Sequence, residues 1–171
     1  MREIKTILVT GGCGYIGSHV CHLLNQKEYK IIVIDNLSTG SPNNLLNNET
    51  LYTGDFGDKK LTESIFSKHK IDLIFHFAAS IKVEESVQNP SSYYDNNTMK
   101  FFSFLQQVQK AKVPYFVLSS TAAIYGPASS CEPICENARP NPINPYGRSK
   151  LMDEWILEDI AKVSNIKYVT F

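Results

Sequence analysis

The sequence predicts an α/β protein: a doubly wound parallel sheet with helices on both faces. Three observations lead there. Short apolar runs alternate with stretches of helical period along the whole chain. The runs are apolar throughout rather than at every second residue, as strands covered on both faces require. A glycine-rich turn joins the first run to the first helical stretch.

The elements follow in order. TILVT, Thr6–Thr10, is the first buried strand. Tyr15 to Asn25 follows, with Ile16, Val20, Leu23 and Leu24 at helical spacing. The β-branched run KIIVID, Lys30–Asp35, is the second strand, and the short TLYTGD ends at Gly54 and Asp55. Asp58 to His69 is helical, with Leu61, Ile65 and Phe66 on one face. DLIFHFA is the fourth strand, a long helix runs from Pro90 to about Lys110, and PYFVLSS is the fifth strand. Gly126 to Pro145 is rich in Pro, Asn and Ser and reads as loop. Tyr146 to Val163 is helical, and KYVTF opens a sixth strand. The chain then stops. One domain is expected over residues 1–171, with the ending of a truncated protein.

Composition narrows the function. With 17 basic and 17 acidic residues the net charge is zero, so no basic footprint for nucleic acid and no polybasic run for a membrane surface is present. The runs IIVI and DLIFHFAA are too short to span a bilayer. The N-terminus enters a strand without the apolar core of a signal peptide. Four cysteines, Cys13, Cys21, Cys131 and Cys135, are then expected as reduced thiols in a cytoplasmic protein. Cys131 and Cys135 could form half a zinc site, but no second pair exists and the histidines are scattered, so no metal is expected. His76 lies mid-strand and reads as a packed histidine, and His19 and His22 need no function.

The turn VTGGCGYIGSH places Gly11, Gly14 and Gly17 three apart, after a strand and before a helix. Glycine allows positive φ and close backbone approach. A helix N-terminus offers free N–H groups and a positive dipole end to a pyrophosphate. The second strand ends in Asp35, eighteen residues after Gly17. A carboxylate there can accept from both ribose hydroxyls and repels a 2′-phosphate, so NAD is favoured over NADP.

NPYGRSK sets Tyr146 and Lys150 four apart, on one face of a helix. A free tyrosine, with a pKa of about 10, is a poor base at neutral pH. A nearby ammonium favours its phenolate, which can take a proton from a substrate hydroxyl. VLSSTAAIYG ends a strand in Ser119, Ser120 and Thr121, and Thr121 could hydrogen-bond the same substrate oxygen. Each of the three could instead be an ordinary strand-end residue, but the context of Thr121 favours a functional role.

The turn TGGCGYIGSH resembles that of the extended short-chain dehydrogenase/reductase family. With VIDNLSTG, GDFGD, HFAASIKVEES, YYDNN, SSTAAIYG and NPYGRSK in order, the chain is most similar to the UDP-glucose 4-epimerases within it. The resemblance implies a Rossmann-type fold with NAD as cofactor. It implies that Tyr15 and Ile16 lie beside the pyrophosphate, with Asp35, Asn36, Leu37, Ser38, Thr39 and Gly40 at the adenosine ribose. Asp55 and Phe56 would meet the adenine. Phe77, Ala78 and Ala79 would line the cofactor channel, with Ser119 also against the cofactor. Lys82 would reach the cofactor's centre and the substrate, and Asn97 would support the site. Thr121, Tyr146 and Lys150 would be the catalytic trio, with Tyr146 and Lys150 also against the cofactor and Thr121 and Tyr146 also touching substrate.

The implied reaction is interconversion at C4 of a UDP-hexose, such as UDP-glucose and UDP-galactose, through a 4-keto intermediate. Related dehydratases usually carry an acidic residue just after the strand hydroxyl, where this chain has Ala122 and Ala123. That favours oxidation and reduction over elimination. Two alternatives stay open: another NAD-dependent nucleotide-sugar epimerase or reductase, acting on UDP-N-acetylglucosamine or UDP-glucuronate, and a non-catalytic NAD-binding module. The family's C-terminal substrate domain is expected to be missing, leaving this chain inactive or weakly active alone. Phe101, Phe102, Phe104, Leu105 and Val108, with Leu151, Trp155, Ile156 and Ile160, form apolar arcs wide enough to suggest a homodimer through the helices near 90–110 and 146–163.

Overall fold

The computed structural model describes residues 4–46, 48–127 and 133–171. Six strands, β1 (Thr6–Thr10), β2 (Lys30–Asp35), β3 (Thr50–Thr53), β4 (Leu73–His76), β5 (Tyr115–Leu118) and β6 (Lys167–Thr170), form one sheet in the order β3-β2-β1-β4-β5-β6. Every pairing is parallel, in registers such as Val9 with Val33 and Val9 with Phe75. The winding reverses between β1 and β4, so a crevice opens there at the strands' C-terminal ends.

The pleat divides the core in two. Ile7, Val9, Ile31 and Val33 turn to one face, with Cys13 and Cys21. Leu8, Ile32, Ile34 and Ile74 turn to the other, against Ile65, Phe101, Phe104 and Leu157 from helices. Each fully buried aliphatic or aromatic side chain contributes on the order of 2 kcal/mol. The helices α1 (Tyr15–Asn25) and α2 (Lys59–Lys68) follow the first and third strands. Asp58 caps α2, its carboxylate accepting from the N–H groups of Lys60 and Leu61.

Four local features add to the sequence reading or depart from it. Residues Val83–Gln88 form a short helix, α3, whose six residues are too few to show a period. The stretch from Pro90 is α4 (Pro90–Tyr93), a π-helical turn Tyr94–Met99, and α5 (Lys100–Lys110). Residues Ala122–Ile124, between the fifth strand and the loop, make a 3-10 turn. The last helix, α6 (Pro145–Lys162), starts one residue early because Pro145 suits a first helical position. Asn144 caps it, accepting from the Gly147 N–H at 2.7 Å.

The apolar arcs of α5 and α6 turn largely inward. Phe101, Phe104, Leu105 and Val108 are buried, and Ile156 and Ile160 pack on the same core. Phe102 and Trp155 remain 41% and 55% exposed. Among the described residues no helix is long and apolar enough to cross a membrane.

Candidate active site

The glycine turn is fixed by close backbone approach. Gly11 has φ +70°, and a Cβ there would come within 2.8 Å of the Ala78 nitrogen. A Cβ on Gly17 would strike the Gly11 carbonyl and approach the Gly12 Cα to 2.8 Å. Gly14 caps α1 without a side chain, so no capping group competes for the first-turn N–H groups. Tyr15 and Ile16 sit on that turn, 81% and 52% exposed.

Asp35, at the end of β2, is buried beneath this turn. One carboxylate oxygen accepts from the Cys13 N–H at 2.9 Å and the other from the Leu37 N–H at 2.8 Å. The next loop folds back on the turn: the Ser41 N–H and the Asn44 side-chain amide both donate to the Cys13 carbonyl. Gly40 is needed there, since a Cβ would sit 2.7 Å from the Cys13 backbone. Asn36, Ser38 and Thr39 are exposed above it. Burial, then the charge of Asp35, pushes the Cys13 thiol up to about 11, and burial pushes Cys21 up to about 12. Neither is a reactive thiolate.

After β3, Asp55 pairs with the Lys100 ammonium at 2.7 Å. The Phe56 ring is buried, edge-on to His76 and Phe104, so what Phe56 can offer a ligand is its backbone. His76 itself is buried among four phenylalanines and shares a 2.7 Å hydrogen bond with the Thr10 hydroxyl. Burial, then the charge of Lys150, holds it well below the usual range and therefore neutral.

After β4 the chain passes Phe77, Ala78 and Ala79, all half-buried. Asn97, in the π turn, clamps the next residue: its amide oxygen accepts from the Ser80 N–H at 2.8 Å and its nitrogen donates to the Ser80 carbonyl at 3.0 Å. The same nitrogen donates to the Ser149 hydroxyl on α6 at 3.0 Å. Single π turns inside helices recur at functional sites. Lys82 is exposed at the start of α3, its carbonyl accepting from Tyr93.

Beyond β5, the Ser119 N–H donates to the His76 carbonyl and the Ser120 hydroxyl to Glu154. Thr121 caps the 3-10 turn, accepting from the Ala123 N–H at 3.2 Å. Helix α6 starts hard against that turn: a Cβ on Gly147 would be 2.6 Å from the Ala123 carbonyl. The approach brings Tyr146 beside the end of β5. Its half-buried ring meets Tyr93 edge-on at 6.4 Å. Lys150 is 2% exposed and donates to Asp153 at 3.0 Å. Burial pushes the Asp153 carboxyl up to about 7 against the opposing pull of Lys150.

The C-terminal edge of the sheet thus brings together the glycine turn, Asp35, Phe77 to Ala79, Asn97, Thr121, Tyr146 and Lys150. The sequence reading did not name Ser80, Ser149, Lys100 or Asp153. Asp153 carried a signal: a carboxylate between Lys150 and Leu157 stands at an inward register of the helix. Cys131 lies outside the described residues and Cys135 is exposed. Among the described residues, no group of His, Cys, Asp and Glu is placed to hold a metal ion.

Residues 7–171 match the model of the NAD-dependent epimerase/dehydratase family. The chain belongs to that family. It is 43% identical over 163 residues to a UDP-glucose 4-epimerase of Azospirillum brasilense, covering 95% of this chain and 47% of the relative. A UDP-glucose 4-epimerase structure from Brucella ovis in complex with NAD superimposes with a TM-score of 0.92 at 38% identity, over 97% of this chain and 50% of that one. One from Thermotoga maritima with UDP-glucose gives 0.93 at 40% identity, over 96% and 54%. The chain therefore spans about half the length of the relatives it matches. The turn fits the family's cofactor, because the α1 N-terminus carries no competing cap and Tyr15 and Ile16 on its first turn are exposed.

Proposed function

We propose that this chain is the NAD-binding half of a cytoplasmic enzyme that epimerises a UDP-hexose at C4, interconverting UDP-glucose and UDP-galactose. The observation that carries this reading is that the glycine turn after β1 and Thr121 after β5 follow parallel strands of one sheet, and so share its C-terminal edge, with α6, which bears Tyr146 and Lys150, packed against the turn that Thr121 caps. The backbone of Gly11, Gly14, Tyr15, Ile16 and Gly17 would hold the pyrophosphate, and Asp35 the adenosine ribose. Asn36 to Gly40, Asp55, Phe56, Phe77 to Ala79, Lys82, Asn97 and Ser119 would complete the cofactor's surroundings. When bound, NAD supplies a reversible hydride acceptor.

Tyr146 takes the proton of the sugar 4-hydroxyl and returns it to the product, while Thr121 holds the same oxygen. Lys150 provides positive charge on the tyrosine's side of the helix. The 4-keto sugar turns over between the two half-reactions. Ala122 and Ala123 offer no carboxylate for eliminating water, which favours epimerisation over dehydration. The substrate's nucleotide would be held by a second half like that of the relatives, so this chain alone turns over weakly or not at all. Phe75 and Phe77 are only half-buried and Val169 is 60% exposed, consistent with further structure packing there. Exposed Phe102, Met152 and Trp155 would face a second copy in a homodimer.

The test joins this chain to the C-terminal half of the Azospirillum brasilense relative and follows UDP-galactose to UDP-glucose without added NAD. The chimera is expected to convert it and the isolated chain not to. Tyr146→Phe should lower the chimera's rate by about a hundredfold or more, the size of a lost general base. A folded chimera that binds NAD and leaves UDP-galactose unchanged would overturn the substrate assignment.

A further inference from the structure

The Lys150–Asp153 pair is a charged couple for which the reaction just described assigns only one member. The two side chains are 2% and 1% exposed and meet at 3.0 Å, one turn beyond Tyr146 on α6. Taking both charges out of water is costly, and a single hydrogen bond offsets little of that cost. The second carboxylate oxygen, Oδ1, has no hydrogen-bond partner. The Thr98 hydroxyl is close enough to Asp153 to lower its pKa somewhat as a donor would, but it is aimed at the Ser149 carbonyl, 3.3 Å away, and leaves Oδ1 without a well-formed hydrogen bond. The other groups facing the pair are Glu154 on the same helix, engaged by Ser120, and His76 from β4, which is neutral. Asp153 is therefore the counter-charge to Lys150 within the fold.

We propose that Asp153 is a positioning residue that biases the site toward the oxidised form of NAD by offsetting the charge of Lys150. The proposal rests on the reading above, in which Lys150 serves the reacting end of the cofactor. The oxidised nicotinamide ring is cationic and the reduced ring is neutral. A lone buried ammonium nearby disfavours the cationic form, whereas an ammonium already balanced by a carboxylate does not. An enzyme that regenerates its own cofactor in each turnover gains from a site that rests in the oxidised state. Because Asp153 takes up a proton near neutrality, the bias is pH-dependent: acid leaves Lys150 unbalanced and favours the reduced cofactor.

The experiment is calorimetric titration of this chain with NAD+ and with NADH, at about pH 6 and about pH 8, for the unmodified chain, Asp153→Asn and Asp153→Glu. The unmodified chain's preference for NAD+ over NADH should rise about three- to tenfold between the two pH values, the effect of one nearby charge. Asp153→Asn should remove that rise and lower the preference at the higher pH by a similar factor, and Asp153→Glu should restore part of it. A merely structural role would weaken both forms alike and leave their ratio unmoved; that result overturns the proposal. Should Asp153→Asn fail to fold, an unmodified chain whose ratio is flat with pH overturns it equally. A chain that binds neither form at either pH fails the cofactor reading itself, a different outcome.

Discussion

Asp35 and Asp153 are both buried carboxylates, held in opposite ways. Asp35 receives one backbone N–H on each oxygen, from Cys13 and Leu37. Those donors are fixed by the strand and the glycine turn, so the carboxylate is solvated by the fold and needs no counter-ion. Asp153 has a lysine on one oxygen and only the Thr98 hydroxyl, aimed elsewhere, near the carboxylate besides, and burial lifts it to about 7. A partner on a long side chain leaves a charge that can titrate. The first arrangement belongs to a site that holds one geometry, the second to a site whose charge can change.

The largest effect should come from disturbing the rigid region. Alanine in place of a helical glycine ordinarily gains about 1 kcal/mol. At Gly17 the added methyl would strike the Gly11 carbonyl and sit 2.8 Å from the Gly12 Cα, both backbone and unable to rotate away. Gly17→Ala is therefore expected to cost about 3 kcal/mol or more net, and to abolish NAD binding, measured by chemical denaturation and cofactor titration. A variant as stable as the parent would show that the turn is more yielding than its packing implies.

Next in size is a pH effect confined to the titratable region. The carboxyl of Asp153 moves from its ordinary 3.8 to about 7 on folding, chiefly by burial. Its folded value is raised, so the folded state binds the extra proton between those two values. Its contribution is fully present below about 4 and is lost as pH rises through about 7. Denaturation profiles across that window should slope downward with pH, and Asp153→Asn should flatten them. A variant with the parent's slope would assign the proton to another group.

How much of this was legible beforehand follows the same division. The six strands and the glycine turn were readable because backbone sterics and burial act over a few residues: KIIVID is buried and β-branched, and Gly11, Gly14 and Gly17 precede a helix. Tyr146 and Lys150 were readable as a pair on one helix face. The clamp of Asn97 on Ser80 and Ser149 was not, because its partners are 17 and 52 residues away. The Phe56 side chain could not be placed either, since only the packing of β4 and α5 shows that its ring is taken into the core. The wide apolar arc of α5 could not be divided in advance for a related reason: only the packed fold shows that Phe101, Phe104, Leu105 and Val108 enter the core while Phe102 stays outside.

The smallest effect, and the finest test of the contrast, is Asp35→Asn. An asparagine keeps one acceptor oxygen but turns an NH2 group toward either the Cys13 or the Leu37 N–H, which then lacks an acceptor. That should cost about 1–3 kcal/mol, with the fold intact, by chemical denaturation. Each Asp35 oxygen takes one N–H, leaving lone pairs for ribose hydroxyls, since a carboxylate can accept about four hydrogen bonds in all. The same charge repels a 2′-phosphate. Asp35→Asn should therefore raise affinity for NADP relative to NAD by about tenfold, as one unscreened charge would, measured by titrating both cofactors. If stability falls and the ratio stays put, Asp35 only braces the glycine turn, and discrimination lies in the exposed loop from Asn36 to Gly40.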